Sequence, residues 1–275
     1  MPKPFDTTVT VDWSGGNAKS TTPSADAIWV SVVRDGVQDR PQYFASRQAV
    51  EPWLESLIDQ TLTHGRRILT GFDFAFGYPT GATEHITGSP DPLAYWGWLE
   101  DRIEDDLKSN NRFDVAGQIN ATFDGVGPFW GNALKRDIPH LPRKGSTRHS
   151  HGCVERRHVE TYERRAFSVW QLAGAGAVGS QVLMGLPVLS RLRERFIGQV
   201  SVWPFETLDT DVAFIEIWPS LFNQQIKAAN LTDWIKDAAQ VHVTADIIAG
   251  MSPSELTQTL NVPPNPEGWI FGVIP

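Results

Sequence analysis

Apolar and polar positions alternate along some stretches of this chain and recur at helical spacing along others, and the two periods divide it into elements. Residues 7–13 (TTVTVDW) alternate and are β-branched, which predicts a strand. Residues 27–34 (AIWVSVVR) predict a second, closed by the turn pair Asp35-Gly36, and residues 42–44 a short third. Val50, Trp53, Leu54, Leu57, Ile58 and Leu62 then share one helical face, with Pro52 expected in the first turn. Residues 67–74 predict a fourth strand. The helix between strands three and four lets strand four run parallel to strand one. A helix is expected over about 91–108. Residues 113–165 are polar and rich in Gly and Pro, and read as a large mid-chain insertion at about 110–165. Residues 210–218 (TDVAFIEIW) predict a fifth strand, 231–249 a helix, and the residues after Ser252 a shorter one. The pattern is that of an α/β protein with a mixed sheet flanked by helices, and its 275 residues suit a single domain.

Three of these strands end alike. Strand one gives Val11-Asp12-Trp13-Ser14-Gly15-Gly16, strand four Phe72-Asp73-Phe74-Ala75-Phe76-Gly77, and strand five Ile215-Glu216-Ile217-Trp218-Pro219. Each sets one acid near the carboxyl end of an apolar run. Ligands of open parallel sheets bind in the crevice beyond those ends. If strands one, four and five are neighbours, Asp12, Asp73 and Glu216 converge, and a cation or a raised pKa must relieve their repulsion. Oxygen-only ligands with open water positions suit Mg²⁺ or Mn²⁺. Asp237, in the late helix, is a fourth candidate, with Asp233 and Asp246 as rivals. Ser14, Gly15 and Gly16 are candidates for binding a phosphate through backbone N–H groups.

The element order, together with VDWSGG, GFDFAFGYP, EIWPSLF and KDAAQ, resembles the ribonuclease H-like superfamily and, more narrowly, the DUF429 family of bacterial proteins. The terminal Glu267-Gly268-Trp269-Ile270 belongs to the same resemblance, which covers about residues 7–80 and 210–272. The chain departs from the family pattern at Lys236-Asp237, where two adjacent acids are expected. The resemblance implies a five-stranded sheet of order 3-2-1-4-5 with strand two antiparallel. It also implies Asp12, Asp73, Glu216 and Asp237 as catalytic, metal-binding residues. The function expected is divalent-metal-dependent phosphodiester hydrolysis of the nuclease type. The alternatives are a nucleotide-binding phosphotransferase, with residues 12–16 and 73–77 as phosphate loops, and a non-catalytic protein that keeps the acids for structure.

Charge and composition refine this picture. The formal net charge is -8, which argues against unassisted nonspecific nucleic-acid binding. Yet residues 135–165 hold nine Lys and Arg, four His and only four acids, a net +5. That segment is either a salt-laced loop or a surface for nucleic acid or another phosphate-containing substrate. Cys153 is the single cysteine, and no charged-then-apolar leader follows Met1, so a cytoplasmic protein is expected. Residues 168–190 carry no charge but include Gln171, Gln181 and Pro187, which suits buried core rather than a membrane span. Gly174, Gly176 and Gly179 form a literal G-x-G-x-x-G. Pro187 falls where its helix should continue, so close packing is expected rather than a dinucleotide. His149, His151, Cys153 and His158 match no zinc spacing.

Overall fold

The structure is a computed structural model that describes residues 5–275. Its strands are short β-branched and aromatic runs: β1 (Thr7–Asp12), β2 (Ile28–Arg34), β3 (Val37–Gln38), β4 (Gln42–Phe44), β5 (Ile68–Phe72), β6 (Val200–Val202) and β7 (Val212–Glu216). Among the described residues they form one mixed sheet of order β3-β2-β1-β5-β7-β6, with β4 also paired to β2. β1, β5, β7 and β6 run parallel to one another, and β2 runs antiparallel to β1. The sheet differs from the expected five-stranded 3-2-1-4-5 order by two added strands: β4, β2, β1, β5 and β7 pair in that sequence, and β3 and β6 make it seven. Val37–Gln38 and the edge strand Val200–Val202 are too short to show a period of two.

The helices are α1 (Arg47–Thr63), α2 (Ala82–Thr87), α3 (Pro92–Glu100), α4 (Arg112–Asn120), α5 (Val159–Tyr162), α6 (Gly179–Arg195), α7 (Asn223–Ala228), α8 (Lys236–Ala249) and α9 (Pro253–Leu260). Three differ from expectation. α1 begins at Arg47, so Pro52 lies one turn deeper than the first turn. α3 stops at Glu100 because the chain beyond it is pinned as a turn. The Asn111 carboxamide accepts from Glu104 N–H (2.9 Å) and donates to the Arg102 carbonyl (2.8 Å). α6 runs through Pro187, its start and both sides of the proline buried, so the proline does not end it.

Val9 and Val11 of β1 join the larger core with α1, α3, α4 and α6 residues. Thr10, on the other face of the pleat, donates to the Val241 carbonyl (2.7 Å) and so anchors α8 there. The buried Thr10 hydroxyl needs an acceptor, and the helix supplies it. The tail residues Trp269, Ile270 and Phe271 close a second cluster against Ile215 and Ile217. The mid-chain segment is more than a polar insertion. Phe113, Ile119, Phe129 and Leu141 enter the larger core. The buried Asn120 side chain ties Phe129 N–H and carbonyl to the His140 carbonyl at 2.8 Å each. Among the described residues no helix is long and apolar enough to cross a membrane.

α6 also sets the position of the loop after β5. A Cβ on Gly185 would stand 2.4 Å from the Phe74 ring. Gly185→Ala should cost about 1–3 kcal/mol by overpacking, read as a melting temperature lower by several degrees. An unchanged melting curve would remove this contact from the account of how the Asp73 loop is held.

Candidate functional site

The register of the parallel strands decides which acids meet. Val11 lies abreast of Phe72, and Phe72 abreast of Glu216. One residue further, Asp73 N–H donates to the Val11 carbonyl (2.9 Å), which sets Asp73 beside Asp12. Residues abreast in a sheet share a face, and the next pair faces the other way. Asp12 and Asp73 thus belong to the α8 side, whereas Glu216 shares the side of Phe72 and Val11.

α8 brings Asp237 to the same rim. Its Oδ2 accepts from Asp26 N–H (2.8 Å), and the Asp26 carbonyl accepts from the Ser14 hydroxyl (3.1 Å). Asp26 adopts φ 52, a left-handed conformation that short polar residues tolerate, and this turns its N–H toward Asp237. From inside the core Arg47 fixes the loop after β1. Its Nη1 donates to the Ser14 and Gly16 carbonyls (2.6 and 2.7 Å), while Asp105 takes its other two nitrogens.

The electrostatics follow from this crowding. Burial raises the Asp12 pKa well above the usual carboxylate range, and the charges of Asp73, Asp237 and Asp26 add to the rise. Burial, then Glu216 and Asp237, push Asp73 up to about 7. Lys236, at the start of α8, opposes both shifts.

Glu216 is placed apart from its expected role as a metal ligand. Arg157 Nη1 and Nη2 grip both its oxygens (2.8 and 2.6 Å), and Phe76 N–H adds a third bond at 3.0 Å. The same guanidinium bonds Glu160 through Nε (2.9 Å) and the Glu267 carbonyl through Nη1 (3.1 Å). Both side chains of the Arg157–Glu216 pair are almost fully buried. Burial works against the Arg157 charge, but Glu216 and Glu160 outweigh it and raise its pKa. The terminal Glu267-Gly268-Trp269-Ile270 serves this network, since Ile270 bridges to Glu216 and the Glu267 carboxylate accepts from Thr80 and His158 N–H groups.

The acids do not share one cavity. Asp12, Asp26 and Asp237 line a cavity of about 310 Å³ with Ser14, Gly15 and Gly16. Asp73 and Glu216 line a smaller one of about 40 Å³ with Arg157 and Glu160. The glycine-rich loop lies over both, with Ala173 and Gly174 toward the first and Val178 toward the second. Among the described residues no three His, Cys, Asp or Glu side chains are gathered closely enough for one ion. The four expected acids are therefore divided between two cavities, Asp12 with Asp237 and Asp73 with Glu216, and Arg157 takes both oxygens of Glu216. His149, His151, Cys153 and His158 likewise form no metal-holding group.

Other candidate motifs resolve into packing. A Cβ on Gly15 would meet the Ser180 backbone at 2.6 Å, and one on Gly77 the Glu267 carbonyl at 2.7 Å. The side of each glycine where a Cβ would stand is filled by protein. The Ser14 hydroxyl is occupied by Gly16 N–H and the Asp26 carbonyl. In the G-x-G-x-x-G stretch, Gly176 accommodates the Phe167 ring and Gly179 the Val169 carbonyl. No strand precedes that stretch, since Gln171 makes only a single bridge to Trp130. In the basic segment Arg136, Arg143, Arg148, Arg157 and Arg165 are each paired with a carboxylate.

Sequence reasoning missed Asp26, Arg47, Arg112 and Arg157. Arg112 lines the larger cavity together with Asp12, Asp26 and Asp237. None of the four carried a signal, because each acts through partners distant in the chain. No protein family, no curated protein and no solved structure matches this chain.

Two outcomes follow. Asp73 titrates near 3.8 when solvated and at about 7 when folded, so between those values the folded state binds the extra proton. Stability contributed by the protonated form is full at about pH 4 and is lost as pH rises through about 7. Metal-free Asp73→Asn should therefore melt several degrees above wild type at pH 8 and lose that advantage at pH 4. Equal melting at both values would contradict the buried, crowded carboxyl. Arg157→Met strands two buried carboxylates and should cost about 3–5 kcal/mol. Adding Glu216→Gln should restore part of the loss, which a double-mutant cycle on denaturant unfolding measures.

Proposed function

We propose that the carboxyl edge of β1 and β5 is the site of a divalent-cation-dependent phosphodiester hydrolase on a ribonuclease H-like sheet. One observation carries the reading: Asp12 and Asp73 stand abreast at the ends of adjacent parallel strands, burial raises both pKa values, and the Asp73 charge adds to the rise at Asp12. Two such carboxyls either share a proton or hold a cation between them.

The donor chemistry fits Mg²⁺ or Mn²⁺. Mg²⁺ habitually takes only one or two carboxylates and completes its shell with water and substrate phosphate, so a third close protein ligand is not required. Asp12 and Asp73 would hold the ion, and it would supply Lewis-acid stabilisation of charge on a phosphoryl oxygen. The remaining work falls to the chain. Asp73, pushed up to about 7 in the ion-free protein, would give up its proton as the ion binds. Asp237 fixes the loop before β2 through Asp26 N–H and presents its second carboxylate oxygen near the rim, where it would position a water. Glu216 belongs to the support of this edge, not to the ligand set: with Arg157 and the tail it holds the end of β7.

A second reading, in which the acids serve only the fold, is favoured by the separation of the Asp12 and Asp73 cavities. The phosphotransferase alternative is not carried forward, because Gly15 and Gly77 are closed by Ser180 and Glu267. Titration with Mn²⁺ or Mg²⁺ separates the two remaining readings. Either ion should raise the melting temperature of wild type and leave Asp12→Asn unmoved. Cleavage assayed on single-stranded, hybrid and branched nucleic acids should fall by about a hundredfold or more in Asp12→Asn and Asp73→Asn. No stabilisation by either ion would leave the structural reading standing, and full cleavage by Asp12→Asn would exclude the pair from the chemistry.

A further inference from the structure

The larger cavity is lined by charges of both signs. Asp12, Asp26 and Asp237 supply its acidic lining, and Arg112, with Ser180 and Ala173, lines the same cavity. Arg112 is half-buried and firmly held. Its Nε donates to the Ser180 hydroxyl (2.9 Å) and its Nη1 to the Asn110 carboxamide oxygen (2.5 Å). The Ser180 hydroxyl in turn donates to the Leu172 carbonyl (2.6 Å), so its lone pairs are aimed at the guanidinium. The flat face of the guanidinium rests on Phe113, 4.3 Å from the ring centre.

These partners are all neutral. The buried Arg47 and Arg157 each have carboxylates in ion-pair contact, but among the described residues no carboxylate pairs with Arg112. Asp105, whose charge reaches it, has both oxygens committed to Arg47. A half-buried cation without a counter-ion is costly unless something supplies the negative charge. Burial and the neighbouring Arg47 charge pull its pKa down to about 10, which leaves it protonated at neutral pH. A fixed planar fork with Nη2 unspent suits a tetrahedral oxyanion, and arginine binds phosphate through paired N–H bonds.

We propose that Arg112 is the phosphoryl-binding residue of this site and holds a substrate phosphate group in the cavity that Asp12 and Asp237 also line. The assignment rests on the hydrolase reading for its purpose but not for its measurement. In the basic segment 135–165, Arg136, Arg143, Arg148, Arg157 and Arg165 already have carboxylate partners, so these five arginines are not the ones that hold the reacting phosphate.

The test uses inorganic phosphate as probe, metal-free, on the full chain carrying Asp12→Asn, which removes both the proposed ion site and a negative charge of the same cavity. Broadening of the phosphate ³¹P resonance reports binding. Adding Arg112→Gln should weaken it by about tenfold or more, as expected for losing a charged hydrogen-bond donor. Arg112→Lys, which keeps the charge and the fold, should recover part of the affinity. Adding Arg136→Gln instead should change nothing. Equal affinity with and without Arg112, no binding by the Asp12→Asn chain, or an equal loss on replacing Arg136 would each overturn the assignment. The hydrolase reading fails by a different result, the absence of stabilisation of wild type by Mn²⁺ or Mg²⁺, so the two can fall independently.

Discussion

The alternation of the pleat is the constraint on which this molecule turns. In a parallel sheet, residues abreast face one way and their successors the other. The ladder sets Val11 beside Phe72 and Phe72 beside Glu216. Asp12 and Asp73, one step on, therefore emerge together on the α8 side, and Glu216 does not join them. A one-residue shift of β7 would reverse this, but its register is fixed by burial: Phe214 and Ile215 pack into separate clusters on opposite faces.

From that constraint two kinds of charge compensation arise on the two sides of one edge. Where Glu216 faces inward, the protein supplies its own counter-ion, and Arg157 serves two carboxylates and a carbonyl at once. Such a network is costly to break and holds the tail against β7. Where Asp12 and Asp73 lie on the α8 side, among the described residues no cation pairs with them, and the result is raised pKa values rather than ion pairs. Arg112, which lines the cavity of Asp12, presents the converse imbalance. Arg47 and Arg157 each have a carboxylate in contact, whereas among the described residues Arg112 has none.

What the sequence by itself determined is local. β-branched and aromatic runs fixed β1, β2, β5 and β7, and the apolar stripe from Val50 to Leu62 fixed α1, because strand and helix periods are written in neighbouring residues. The same runs marked Asp12, Asp73 and Glu216 as acids out of place at strand ends. Only the tertiary structure decided which of them meet, because pairing register and pleat parity depend on strands that are far apart in the chain. It also decided that the arginines of the 135–165 segment are mostly spent on nearby carboxylates, and that Arg157 reaches Glu216 across 59 positions. Val37–Gln38 and Val200–Val202 became strands only because a longer neighbour offered them a ladder. A residue's type can be read in isolation, but its electrostatic partner is a property of the packed chain.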